Sequence, residues 1–283
     1  MRLKQYLLAA SGVLLLFILF FFGKIRFPEG KSVQQQSANR DKPARGTEMN
    51  FEQLLSLASQ NLSAADSKKI SLLNEKLSSC KTKSDSAQVM KHLGDAWYDS
   101  KNYIVAGVYF ETSGKATNNI ALLDSASQSL AFGYTMTKDT NAMVFGAEKT
   151  LECFQLLRNL QPNNLDYKIG YAATLIDGMG DVMSGVSLLK EVEKQDPENL
   201  QMNLILGRLD IRNGELDKSV SHLQKVLKKD PKNLDAYLYL AEVWKAKGNN
   251  KEELKELQAA RKLSNDDGLN QSIDKTINEL RTK

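Results

Sequence analysis

An all-α chain, built of short helix pairs stacked in sequence behind one apolar N-terminal helix, is the fold this sequence predicts. Three observations predict it. Gly180, Gly214 and Gly248 recur at intervals of 34 residues. The run Lys194-Gln195-Asp196-Pro197-Glu198-Asn199-Leu200 returns, 34 residues on, as Lys228-Lys229-Asp230-Pro231-Lys232-Asn233-Leu234. Between these markers apolar and small residues keep helical spacing, as in Leu206, Gly207, Leu223, Val226 and Leu227. With 5 Pro and 17 Gly, the chain lacks the turn residues of a β-sandwich.

The elements follow in order. Gln5 to Gly23 carries no charge, and 19 residues of helix span about 28 Å, close to a hydrocarbon core of about 30 Å. Arg2 and Lys4 flank one end, Lys24 and Arg26 the other. The run is longer than a signal-peptide core, and Phe20-Phe21-Phe22-Gly23-Lys24 offers no small-x-small cleavage site. Residues 1–27 are therefore expected to be an uncleaved, single-pass transmembrane anchor in an inner or cytoplasmic membrane. Its basic flanks, counted literally, hold the C-terminal side in the cytoplasm. Long domains after a first helix nevertheless translocate largely regardless of charge, so the expected side is extracytoplasmic and the cytoplasm is the alternative. Residues 28–49 are polar without apolar periodicity and are expected to form a disordered linker, with a reach of about 25 Å as a flexible coil.

Charge divides at the same place. Residues 1–49 hold eight basic and three acidic residues, leaving 30 against 31 in the remainder. A near-neutral main domain gives no electrostatic reason to expect nucleic acid.

Residues 50–86 are expected to form a leading helix pair, Phe51–Gln60 and Ala64–Cys80. Asn50 and Ser63 are the expected caps, and Ser63-x-x-Asp66 has the form of a capping box. Residues 87–267 divide into units near 87–120, 121–165, 166–199, 200–233 and 234–267. In the first, Leu93, Gly94, Trp97, Ala106 and Phe110 alternate small and large residues. The second, with helices expected at Ala121–Met136 and Ala142–Leu160, is longer and less regular. In the last, Leu240, Ala241, Trp244, Gly248 and Ala260 keep the pattern, while Glu253 stands where a small residue is usual. The glycines fall where each first helix turns back. The two Asp-Pro pairs, at 196–197 and 230–231, each end a second helix, because a residue before Pro is pushed out of the α region. Residues 268–283 are expected to form a capping helix whose Ile273, Ile277 and Leu280 cover the end of the stack.

This 34-residue pattern of Leu-Gly, Trp, Gly, Ala and Asp-Pro resembles the tetratricopeptide repeat, over roughly Ala87 to Leu269. The resemblance implies a right-handed helical solenoid of about five helix pairs. It also implies that the first helix of each pair lines a concave groove that holds proteins or peptides. On helix geometry together with that resemblance, the groove candidates are Lys91, Asp95, Tyr98, Tyr171, Thr174, Arg208, Arg212, Tyr239, Glu242 and Lys245. Tyr98, Tyr171, Arg208 and Tyr239 lead, because Tyr and Arg are enriched at binding hot spots. The Lys and Asn clamp that such domains use on chaperone C-termini is matched by Lys91 and broken by Asp95.

Little in the chain points to catalysis. Its two histidines, His92 and His222, have no partner at metal-ligand spacing on their own helices, and His222 is expected at the surface. Gly178-Met179-Gly180 falls at a helix–helix turn with no strand before it, unlike a phosphate loop. Ser78-x-x-Lys81 lacks the companion motifs of a Ser-Lys nucleophile. Cys80 and Cys153 read as small core residues. The expectation is a non-catalytic membrane-tethered scaffold or assembly factor without cofactor or metal. Its partner is a protein or peptide, and its membrane contact runs through residues 5–23. The alternative is a non-catalytic regulatory subunit of a membrane enzyme or secretion complex.

Overall fold

The computed structural model describes residues 49–282. The expected anchor, and the expected linker up to Glu48, lie outside the described residues. Among the described residues every regular element is a helix. None of these helices is long and apolar enough to cross a membrane. The thirteen are α1 Phe51–Ser59, α2 Ala64–Ser78, α3 Lys83–Asp99, α4 Tyr103–Thr117, α5 Ile120–Met136, α6 Thr140–Leu160, α7 Leu165–Asp177, α8 Val182–Gln195, α9 Leu200–Asn213, α10 Leu216–Lys229, α11 Leu234–Ala246, α12 Asn250–Leu263 and α13 Asp267–Arg281. They fall into two compact units, divided between Val182 and Met183.

In the first unit the helices α2 to α7 pack in succession, and α1 lies against α4. Their shared core includes Leu93, Trp97, Val105, Phe110, Leu123, Leu130, Cys153 and Leu157, all buried. Small residues set the spacing of these helices. The ring of Phe110 lies over Gly94, where a Cβ would stand 2.4 Å from it. Gly107 and Gly114, two turns apart on α4, face Leu130 and Leu123, two turns apart on α5. A Cβ on either glycine would come within 2.5 or 2.9 Å of the leucine, so this crossing exists only with glycine at both places. In the less regular pair, α5 and α6, the close approach is at Gly146, where an added Cβ would stand 2.8 Å from the Tyr134 Cβ.

In the second unit α9 to α13 pack in succession, and α9 also touches α11. Gly207 sits against Leu223, whose Cγ would lie 2.8 Å from an added Cβ. The Ser219 hydroxyl donates to the Gly207 carbonyl at 2.8 Å across the same crossing. At the far end Ile273 and Ile277 of α13 cover Leu257 and Ala260 of α12.

The Asp-Pro-x-Asn turns do more than stop a helix. Asp196 accepts from the Glu198 amide at 3.2 Å and from the Asn199 side chain at 3.3 Å. Asn199 in turn accepts from the Met202 amide at 3.1 Å, capping α9. Asp230, Asn233 and Ala236 repeat this relay, with Asn233 accepting from the Ala236 amide at 3.0 Å to cap α11. The end of one helix therefore positions the cap of the next.

Two local expectations change. The reciprocal capping box belongs to Asn50 and Gln53, each accepting from the other's amide at 2.9 Å. At Ser63 only half of a box forms: its oxygen accepts from the Asp66 amide, and its hydroxyl turns to the Asp66 carboxylate at 2.7 Å. Cys80 is not a core residue. It is half-exposed past the end of α2, and its thiol donates to the Lys76 carbonyl. Cys153 is fully buried as expected, its thiol 3.2 Å from the Leu123 carbonyl, and burial raises its pKa.

Gly180, Gly214 and Gly248 all adopt positive φ, at 71°, 76° and 69°. After α3 the same left-handed position is held by Lys101, at φ 64°. Nothing lies within 4 Å of a Cβ added at Gly214, so the cost of a side chain there is purely conformational. Gly214→Ala is expected to destabilise the second unit by about 1–2 kcal/mol. Lys101→Gly should stabilise the first by up to about 1 kcal/mol, the relief of left-handed strain exceeding the entropy of glycine. Urea unfolding of both variants checks the pair of signs.

Candidate interaction cleft

The first unit presents a cleft of about 390 Å³ between α3 and α5, with α4 as its floor. Helix α3 supplies Asp95, Tyr98 and Asp99. From α5 come Ser125, Gln128, Ser129 and Phe132, a stripe at i, i+3, i+4 and i+7 that one helix face must share. Phe110 closes the bottom, in the position that Gly94 allows it.

Two aromatic residues of the lining, Tyr98 and Phe132, are joined through Tyr103, which is not itself part of the lining. Tyr98 meets Tyr103 edge-on with centroids 5.1 Å apart, and Tyr103 meets Phe132 likewise at 4.6 Å. Tyr103 is held from below, its carbonyl accepting from the Ser129 hydroxyl at 2.8 Å. Burial, and secondarily Tyr98, raises the Tyr103 pKa, so its phenol stays neutral. Tyr98 at the rim remains 44% exposed, enough to offer a ring to a ligand.

Both carboxylates at the rim carry lysine partners. Lys91 lies 2.8 Å from Asp95 within α3, and Lys69 of α2 lies 3.0 Å from Asp99. His92 is 3.6 Å from Asp95. These pairs are exposed, and such pairs contribute about 0–1 kcal/mol each. Deeper along α5, the Asp124 carboxyl has its pKa raised by burial and by Asp166 of α7, opposed by a hydrogen bond from Gln128.

Of the residues expected to bind, Asp95 and Tyr98 line this cleft and Lys91 stands beside it. Tyr171 is half-buried, and the Arg158 guanidinium of its own chain covers its ring at 4.7 Å. Thr174 does not face a groove: it is 2% exposed, and its hydroxyl bonds back to the Gly170 carbonyl. In the second unit Arg212, Glu242 and Lys245 are exposed and Arg208 is half-buried. Glu242 is exposed overall, yet packing round its carboxyl raises its pKa, opposed by Lys245. Tyr239 is a core residue, 8% exposed, on a helix, α11, against which both α9 and α10 pack. His222 is no surface side chain either: it is 16% exposed and engaged by Asn203 and Asp210 of α9.

The residues missed are Asp99, Phe110, Ser125, Gln128, Ser129 and Phe132. The α5 stripe was the available signal, polar in three places and aromatic at its end. A second hollow, of about 480 Å³, lies between α12 and α13 in the second unit, where Arg261 reaches Asp274 at 3.0 and 3.1 Å. Among the described residues no three of His, Cys, Asp and Glu gather in a metal-binding group.

Residues 206–268 match the family model of the tetratricopeptide repeat. This stretch, from the middle of α9 to the start of α13, carries tetratricopeptide repeats, a fold that generally mediates protein–protein interaction. No curated protein matches the sequence. Among solved structures, the chain is similar to TTC0263, a thermophilic TPR protein in Thermus thermophilus. That match has 19% identity and a TM-score of 0.48, covering 70% of this chain and 100% of that one. It is similar to MamA 41-end from Desulfovibrio magneticus RS-1 at 16% identity and a TM-score of 0.46, covering 62% and 94%. It is also similar to YrrB, described as a TPR protein with an unusual peptide-binding site, at 16% identity and a TM-score of 0.40, covering 67% and 92%.

The different burial of two tyrosines gives a test. Tyr239→Ala should cost about 3–5 kcal/mol of stability, as for other large buried rings. Tyr98→Ala, losing an exposed ring and one edge contact, should cost no more than about 1.5 kcal/mol. Chemical denaturation of the two variants measures the difference directly.

Proposed function

We propose that this chain is a non-catalytic interaction protein, tethered to a membrane through residues 5–23, which holds a segment of another protein in the cleft between α3 and α5. The observation that carries the reading is the cleft itself: an aromatic wall, an exposed Tyr98 at the rim, and two carboxylates beside it.

The lining suits a basic side chain of an extended peptide. Asp95 and Asp99 accept hydrogen bonds, Ser125 and Gln128 add neutral polar groups, and none of the eight lining residues is cationic. Lys91 and Lys69 hold the carboxylates only through exposed pairs, so an incoming guanidinium displaces them at small cost. Its planar fork takes a carboxylate in two bonds and its face lies on a tyrosine ring. Rigid helices keep these groups in place without prior ordering, which limits the entropy lost on binding.

The tether and its orientation rest on the sequence: a charge-free run of helix length, basic flanks and a polar linker support repeats held on the extracytoplasmic side. Full-length protein in mild detergent, immobilised and offered solubilised membranes, tests the binding site. Tyr98→Ala and the double change Asp95→Asn, Asp99→Asn should each weaken partner capture about 10-fold or more, as hot-spot losses do. Arg212→Ala in the second unit should leave it unchanged. The reverse pattern sinks the cleft as the site. In the same cells, protease added to intact spheroplasts should digest the repeats; protection until lysis would put them in the cytoplasm.

A further inference from the structure

Helix α9 places Asn203 and Asp210 seven residues apart on one face, and His222 of α10 lies against both. The Asn203 amide nitrogen donates to the Asn199 carbonyl at 2.7 Å and to the Pro197 carbonyl at 3.0 Å. Two acceptors on that side fix the amide's orientation, so its oxygen is the atom 2.7 Å from His222 Nδ1. An oxygen acceptor at that distance requires the hydrogen on Nδ1. In the neutral ring the lone pair is then on Nε2, and Nε2 faces Asp210 Oδ2 at 3.7 Å. That oxygen is buried and makes no hydrogen bond.

A carboxylate oxygen and an imidazole lone pair are thus turned towards each other in a site where both side chains are under a fifth exposed. Such an arrangement lacks one proton. Placed on either atom, the proton turns repulsion into a charge-assisted hydrogen bond, and closing the gap by less than about 1 Å brings it into range. We propose that Asp210 and His222 share a single proton and form a pH-sensitive clasp between α9 and α10, closed while the proton is held and loosened when it leaves.

The surrounding charges bear on this from each packed element. Burial pushes Asp210 from its ordinary 3.8 up to about 6, aided by Glu215 and by Glu193 of α8, and opposed by Lys218. Burial, with Lys225, lowers His222 below its ordinary 6.5, opposed by Glu193. From α11, Asp235 is itself raised by burial to about 7. For Asp210 the folded pKa lies above the unfolded one. Its contribution to stability is therefore complete below about 3.8 and lost as pH rises through about 6. His222 acts in the opposite direction: its contribution is present above about 6.5 and lost as pH falls. Asp235 remains in an Asp210→Asn variant, so comparing that variant with the native chain removes the Asp235 contribution and leaves that of the coupled Asp210–His222 pair.

The test uses the full chain with ring-labelled histidine, whose only two histidines are told apart by a His92→Gln variant. Nuclear magnetic resonance should show neutral His222 protonated on Nδ1. Its titration midpoint should fall by about half a pH unit or more in Asp210→Asn, where an amide N–H can donate to Nε2 and favour the neutral ring. The thermal midpoint of the native chain, relative to Asp210→Asn, should decline between about pH 5 and pH 8. If Asp210→Asn does not fold, Asp210→Ser carries the same comparison, and the native tautomer is read in either case. A ring protonated on Nε2 overturns the clasp. So do coincident midpoints, or melting profiles that run parallel across that range.

Discussion

Helix spacing in this protein depends on small residues placed opposite large ones. Gly94 under Phe110, Gly107 and Gly114 against Leu130 and Leu123, and Gly207 against Leu223 are the same device at three helix crossings. Each lets two helix backbones approach until a side chain of one fills the space a Cβ of the other would need. Interiors packed to this density transmit small changes of volume, because no void is available to absorb them. The cleft in the first unit is a consequence. Phe110 can form its floor only because Gly94 leaves room for the ring, and Phe132 reaches its wall only because α5 is drawn against α4.

The turns complement the crossings. Where a unit ends in Asp-Pro-x-Asn, the aspartate binds the asparagine side chain and the asparagine caps the following helix. One helix end thereby sets the start of the next, and a local motif becomes a rule for the path of the chain. Where the motif is absent, single caps serve: Thr82 accepts from the Asp85 amide and Asp139 from the Ala142 amide. The glycine turns add a left-handed residue at a fixed place, and the use of Lys101 at one of them shows that the geometry is imposed by packing as well as by the residue.

Much of this was legible in the sequence because it is local. Helix limits at Phe51, Ala64 and Leu160, the Gly214 turn and the apolar face of α13 follow from periodicity, caps and breakers. What sequence could not supply was which side of a helix its neighbours would cover. Thr174 and Tyr239 sit at spacings that read as groove-facing, yet packing buries both. His222 reads as a surface residue in a lysine-rich helix, and only the closeness of α9 turns it into a partner of Asn203 and Asp210. The cleft itself needs α3 and α5, whose lining residues lie about 30 positions apart, and no local pattern joins Tyr98 to Phe132.

Where a partner touches the chain is decided by covalent capture. The photoreactive residue p-benzoylphenylalanine, put in place of Tyr98 or Gln128 in the cleft, should form covalent adducts with the partner in cells. The same residue in place of exposed Leu72 on α2 or exposed Glu148 on α6 should form none. Adducts from positions 72 or 148, with none from 98 and 128, would contradict a binding site between α3 and α5.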